Sequence, residues 1–202
     1  MGCRRMKAIS VRNISKSFGK RLVFSNFSHD FPLEEITCIM GESGCGKTTL
    51  LKIIMGLEQA DAGSVIMPDE LKLSAVFQED RLISHFSAIG NCRLVSTKNK
   101  DEQIRRLLLD FGLSGSMDMQ VKKLSGGMAR RVTIARCLSA GGDVYIMDEP
   151  FKGLDSDTKK QVMSIVRQKT EGKTLILVTH DQDEADFMGG NMLKLNPPAL
   201  DI

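Results

Sequence analysis

Nowhere in these 202 residues does an apolar run last long enough to cross a bilayer. The longest, such as Leu50 to Leu57, is interrupted by Lys52, whereas a spanning helix needs about 20 apolar residues. No secretory signal precedes it, so a cytoplasmic protein is expected. Strong net charge is missing as well: a formal +3, with the Lys and Arg dispersed, argues against a nucleic-acid surface. The five cysteines, Cys3, Cys38, Cys45, Cys92 and Cys137, contain no C-x-x-C pair. An odd number without that spacing favours free thiols over a zinc site or a disulfide framework. The opening Met1-Gly2-Cys3 lacks a myristoylation signal, because Met6 stands where Ser or Thr is wanted. Internal repeats and low-complexity tracts are absent too. What remains, 42% apolar and 26% charged, suits one domain with a sizeable core.

Alternation of Ile9 and Val11 with Ser10 and Arg12, and the Phe-rich stretch Leu22 to Phe31, predict β-strands forming an antiparallel flank. Ile36 to Met40 is instead continuously apolar, as in a parallel strand buried on both faces. A helix is expected over Thr49 to Gly56, a turn at Ala62-Gly63 and a strand over Leu73 to Phe77, with Gln78 just past its end. Ile104, Leu107, Leu108 and Phe111 recur at helical spacing between charges, so residues 81–123 read as a helical insertion. Helix over Gly126 to Ala140, strand over Val144 to Met147, helix over Ser156 to Lys169 and strand over Thr174 to Val178 follow. Asn196-Pro197-Pro198 reads as a chain end. This alternation predicts an α/β fold, a mainly parallel sheet covered by helices on both sides.

The chemistry centres on Gly41-Glu42-Ser43-Gly44-Cys45-Gly46-Lys47-Thr48, which fits G-x-x-x-x-G-K-[ST] between an apolar strand and a helix. Glycines let backbone N–H groups turn inward, the helix adds its positive end, Lys47 reaches the β/γ oxygens and Thr48 ligates Mg²⁺. These residues, with Thr49 after them, are the candidate triphosphate site. Cys45, beside Lys47 and a helix N-terminus, is expected to be the most reactive thiol unless it is merely a small side chain that the loop tolerates.

Val144-Tyr145-Ile146-Met147-Asp148-Glu149 sets two carboxylates at the carboxyl end of a buried strand, where ligands sit in such sheets. Asp148 suits the Mg²⁺ shell, and Glu149 suits a general base that polarises the attacking water. Adjacent acids in a surface turn are the blander alternative. Leu124-Ser125-Gly126-Gly127 opens a helix with the apolar stripe Met128, Val132, Ala135, Leu138. Ser and glycines at a helix N-terminus bind anions well, though they also serve as a plain cap.

In their order, these motifs resemble the nucleotide-binding subunits of ATP-binding cassette (ABC) transporters over essentially the whole chain. The loop from Gly41, Gln78 after a strand, Leu124-Ser125-Gly126-Gly127-Met128, Asp148-Glu149-Pro150, Gly153-Leu154-Asp155 and His180 after a strand carry the likeness. The resemblance implies a P-loop ATPase of one domain, residues 1–202, with a helical subdomain at 81–123 and ATP and Mg²⁺ as cofactors. It makes Gln78 a Mg²⁺ and water sensor, sets His180 at the γ-phosphate and Phe18 on adenine, and assigns Asp155 to a loop that crosses to a second copy. Core packing is the other reading of Phe18, and His29 and His85 read as ordinary structural histidines. Ser125, Gly126 and Gly127 would close over ATP held by that second copy, in a head-to-tail pair.

Two departures stand out: Met128 where Gln is usual, and Lys152-Gly153 where small residues are common. The stretch between the glycine loop and Gln78 is short for the family, implying a trimmed antiparallel subdomain. A separate membrane permease, gripped around Gln78 to Leu94, is implied on the cytoplasmic face of the membrane, and indirectly a solute-binding protein. Phe77-Gln78-Glu79-Asp80-Arg81-Leu82 and Pro150-Phe151 look most like importers of the nitrate, sulfonate and taurine group. Lipoprotein or peptide export modules and soluble cassette ATPases are the alternatives, and Asn99-Lys100-Asp101-Glu102 only nearly spells a guanine-reading N-K-x-D.

Overall fold

Two sheets meet across a shared core. The structure, a computed structural model, describes residues 7–96 and 101–196. Met1-Gly2-Cys3 and Met6, the Asn99-Lys100 half of the near N-K-x-D and Pro197-Pro198 therefore lie outside the described residues.

The smaller sheet is antiparallel and holds β1 (Ala8–Phe18), β2 (Arg21–Pro32) and β4 (Ala62–Ile66) in the order β2-β1-β4. Ile9 and Val11 bury their side chains as alternation predicts, and the pattern then slips by one residue to bury Ile14. The slip is a bulge between Val11 and Ile14, with Asn13 at φ 51. It keeps the apolar face inward on both sides of the irregularity. Ala62-Gly63, expected as a turn, instead begins β4: Ala62 pairs with Ser15 and Ser64 with Arg12. Gly63 faces the bulge, where a Cβ would lie 2.4 Å from the carbonyl oxygens of Arg12 and Asn13. The glycine marks close backbone approach, not a reversal of direction.

The larger sheet is parallel, ordered β5-β6-β7-β3-β8 from β3 (Ile36–Met40), β5 (Leu73–Val76), β6 (Val144–Asp148), β7 (Thr174–Val178) and β8 (Asn191–Lys194). Every residue of β6 and β7 is buried. On β6, Val144 and Ile146 enter the core shared with the small sheet and helix α1 (Lys47–Ile54). Tyr145 and Met147 enter the opposite core, under α2 (Ala88–Arg93), α3 (Asp101–Asp110), α4 (Gly126–Ala140), α5 (Ser156–Lys169) and α6 (Gln182–Met188). Burial on both faces is why these strands read as unbroken apolar runs.

The expected elements of the second half fall where the periodicity put them. α1 begins two residues earlier than expected, at Lys47, because the loop glycines lead straight into it. Within residues 81–123 the structure has α2, α3 and short 3-10 turns at Ser114–Ser116 and Val121–Lys123. α6 and β8 were not expected. β8 spans only four residues, three of them exposed, and carries no apolar run to announce it.

Candidate active site

The carboxyl ends of the parallel strands define one level. Asp148 of β6 and Ile39 of β3 both pair with Val178 of β7, which lies between them. The loop leaving β3 and the acids ending β6 thus stand at the same height, one strand apart.

The loop is shaped by contact as much as by its own flexibility. Gly46 has φ 103, and a Cβ there would meet Val23 at 2.6 Å and Phe24 at 2.8 Å. Arg21 Nη2 donates to the Gly44 carbonyl at 2.6 Å, holding the loop from β2. α1 starts without any side-chain cap, which leaves its first-turn N–H groups aimed out of the helix for a ligand. Lys47 Nζ donates to the carbonyls of Gly41 at 2.7 Å and Glu42 at 2.9 Å. Thr48 Oγ1 donates to Asp148 Oδ2 at 2.6 Å, across 100 residues of chain. The cleft so formed, about 410 Å³, is lined by Phe18, Ser43, Gly44, Gly46, Lys47, Thr48, Thr49, Gln78, Asp148 and Glu149, with Arg21 and Val23.

The two acids differ in setting. Burial, with the Glu149 charge adding to it and the Thr48 hydrogen bond opposing it, pushes the Asp148 carboxyl above its ordinary range. A buried carboxylate beside a hydroxyl suits a hard divalent cation, which needs few protein oxygens when substrate phosphates supply the rest. Among the described residues no cluster of three or more His, Cys, Asp or Glu offers another such place. Glu149 has φ 47, left-handed backbone that costs a non-glycine residue energy. Its carboxylate meets Lys152 Nζ at 2.9 Å and His180 Nδ1 at 3.5 Å. Burial raises its pKa, but Lys152 and then His180 outweigh burial and hold it below the ordinary value.

Of the residues singled out from sequence, Phe18 is 49% exposed on the rim of the cleft, which sets aside the core-packing reading. His180 is exposed and touches Glu149. Gly41 and Glu42 serve through the carbonyls that hold Lys47. Cys45 corrects an expectation: it is 3% exposed and its sulfur packs beneath the loop, 4.0 Å from Lys47 Nζ. Its burial favours the small-side-chain reading over the reactive one. Burial pushes Cys38 and Cys92 up to about 11 and Cys137 up to about 12, and these three with Cys45 are free thiols. Ser125, Gly126, Gly127 and Asp155 do not line the cleft. In the single chain Ser125 Oγ accepts from the Met128 N–H at 3.3 Å, and Asp155 Oδ1 from the Thr158 N–H at 3.0 Å, so each caps its own helix.

Sequence reasoning missed what braces His180. Thr179 Oγ1 donates to buried Glu184 at 2.6 Å, and Lys159 Nζ reaches Glu184 at 2.7 Å and Asp181 at 3.1 Å. The Asp181 and Glu184 carboxylates on α6 and its cap were the available signal, a cluster of acids just after a histidine. A larger cavity of about 890 Å³ lies at the opposite end of the sheet, among Lys72, Asp143, Tyr145 and Lys173. None of the phosphate-loop chemistry reaches it.

A family model described as ABC transporter matches residues 24–152. Aliphatic sulfonates import ATP-binding protein SsuB 2 of Burkholderia cenocepacia is 34% identical over 199 residues, covering 94% of this chain and 74% of that one. Sulfate/thiosulfate import ATP-binding protein CysA of Acinetobacter baylyi is 35% identical over 210 residues, covering 94% of this chain and 60% of its own. An ATP-binding cassette solved as a dimer in a post-hydrolysis state with ADP and Pi aligns with a TM-score of 0.82 at 28% identity, over 94% of both chains.

Proposed function

The chain belongs to the ABC transporter family as an ATP-binding, ATP-hydrolysing subunit, and from that premise we propose that it drives a separate membrane permease in solute import of the nitrate, sulfonate and taurine type. The observation that carries this reading is the single cleft in which Lys47, Thr48, Gln78, Asp148 and Glu149 converge. The first-turn N–H groups of α1 and Lys47 hold the phosphates, Lys47 exchanging its loop carbonyls for phosphate oxygens. Phe18 offers its exposed face to the base. Thr48 and Asp148 would hold Mg²⁺, which when bound would neutralise charge on the phosphates. Glu149 accepts a proton from water, and His180 and Gln78 orient the reacting groups. Ser125, Gly126, Gly127 and Asp155 act on a second copy, because in one chain they lie outside the cleft.

No helix among the described residues is long and apolar enough to cross a membrane, so the reading assigns translocation to the permease and sets this chain on its cytoplasmic face. The sulfonate and sulfate import relatives support the direction of transport. Purification of the tagged chain from membranes tests the whole reading. Recovery of a permease and an external binding protein that takes up sulfonates, with ATPase activity that rises on adding that solute, is expected. Recovery of an export partner, or of none from membranes, overturns it.

A further inference from the structure

Arg130 lies on α4, inside the turn that follows the glycines, yet it is only 5% exposed. A buried guanidinium must find partners for its five N–H donors. Its Nε donates to the Pro150 carbonyl at 2.8 Å, and Nη2 to the carbonyls of Asp148 at 3.0 Å and Glu149 at 2.7 Å. Nη1 donates to the carbonyls of Phe77 at 2.8 Å and Gln78 at 3.3 Å, and to Asp80 Oδ1 at 3.1 Å. Five of these six acceptors are backbone oxygens, drawn from two segments that leave paired strands, since Val76 of β5 sits beside Met147 of β6.

The same face of α4 extends the grip at three-residue spacing. Thr133 Oγ1 shares its one proton between the Ala129 carbonyl of its own helix at 3.1 Å and the Asp80 carbonyl at 3.2 Å, and Arg136 donates to the carbonyls of Arg81 at 2.7 Å and Asp80 at 3.1 Å. The segment after Gln78 is therefore strapped along a helix whose N-terminus is capped by Ser125.

Resting on the proposed function, we propose that Arg130 is a positioning residue for ATP hydrolysis: its planar fork fixes Gln78 and Glu149 relative to each other and binds both to the helix that faces the second copy. Any shift of α4 on pairing is then delivered to the sensor and the base together. An amide or an ammonium lacks the donors in one plane to span both segments.

The test compares R130Q and R130K with the wild type, each checked for folding by circular dichroism and thermal unfolding. In a folded R130Q variant kcat is expected to fall about tenfold or more while KM for ATP moves by less than about threefold, as loss of alignment predicts. R130K, which keeps the charge without the fork, is expected to recover only part of that loss. In the nucleotide-free protein, amide exchange in R130Q is expected to quicken at residues 77–81 and 148–151 and to stay unchanged elsewhere in the parallel sheet. A folded R130Q variant with kcat within about twofold of wild type overturns the proposal. So do equal losses in kcat and ATP affinity, unchanged exchange at both segments, or failure of both variants to fold, which would make Arg130 a folding residue. A wild-type chain without ATPase activity would instead strike the proposed function, and the exchange measurement alone would then decide whether Arg130 ties the two segments.

Discussion

Phe18 ends β1 with Lys16 Nζ 4.8 Å from its ring centroid and half its surface open at the cleft. A ring left in solvent at a phosphate site contributes little to the fold, so Phe18→Ala is expected to weaken nucleotide binding by about 1 to 2 kcal/mol. Titration with ATP and ADP checks it, with similar losses for both expected, and thermal unfolding without nucleotide should hardly move. Glu149 stands between Lys152 and His180, on left-handed backbone at φ 47. Glu149→Gln is expected to lower hydrolysis by roughly 10²-fold or more while ATP still binds, because the amide fits the space but accepts no proton. His29 belongs to a different account. It lies between Phe27 and Phe31 on β2, 4.7 Å from the Phe31 ring centroid. Burial lowers its pKa below the ordinary 6.5, against a smaller opposing pull from Asp30. The unfolded chain then takes up the proton more readily, so the stability His29 contributes is present above pH 6.5 and is lost as pH falls through the folded value. Unfolding midpoints at roughly pH 7.5 and 5.5 should therefore diverge less in a His29→Phe variant than in the wild type.

At the scale of elements, the helices divide by how their first turns are satisfied. α2, α4 and α5 are capped by Ser87, Ser125 and Asp155, whereas α1 has no side-chain cap and faces the cleft. Among the α-helices whose N-cap is described, α1 is the uncapped one, and on the proposed reading a phosphate would complete it. Arg131 Nη1 donates to the Phe111 carbonyl at 2.7 Å, so α4 also terminates α3. The small sheet depends on the bulge in β1 and on the glycine opposite it. Gly63→Ala would press a methyl group onto two carbonyl oxygens at φ 88, and a loss of about 1 to 3 kcal/mol is expected in urea unfolding without nucleotide. Gly19→Ala is the control: its φ is 59 but nothing lies within 4 Å of the added carbon, so it should cost less. Equal losses at the two positions would show that the contact at Gly63 relaxes freely.

For the molecule as a whole, the cleft holds the phosphate loop and both acids, while Ser125, Gly126 and Gly127 lie outside it on the N-terminus of α4. On the proposed reading these are two halves of a site, which head-to-tail pairing of two copies would join. The Glu149→Gln variant, which binds ATP without turning it over, is expected to sediment as a dimer with ATP and as a monomer with ADP. A monomer under both conditions would leave Ser125 as a helix cap and nothing more.

The sequence alone determined the chemistry that is local. The glycines, Lys47 and Thr48 lie within eight residues, and Asp148-Glu149 follows directly on the apolar run that becomes β6, so spacing sufficed to mark them as candidates that the structure brings to one cleft. The helices α3, α4 and α5 were legible for the same reason, each carrying its periodicity within itself. Tertiary structure decided whatever depends on a partner far along the chain. The order β5-β6-β7-β3-β8 brings Thr48 to Asp148, the pairing of β4 with β1 turns Ala62-Gly63 from a turn into a strand, and packing beneath the loop buries Cys45. Arg130 is the sharpest case. On its own helix it is one more charge, and only the folding of strand ends from 77 to 80 and from 148 to 150 around it supplies its acceptors. Hydrogen-bond acceptors so distant in sequence leave no periodic mark, because backbone carbonyls are the same at every residue and only their arrangement in space distinguishes them.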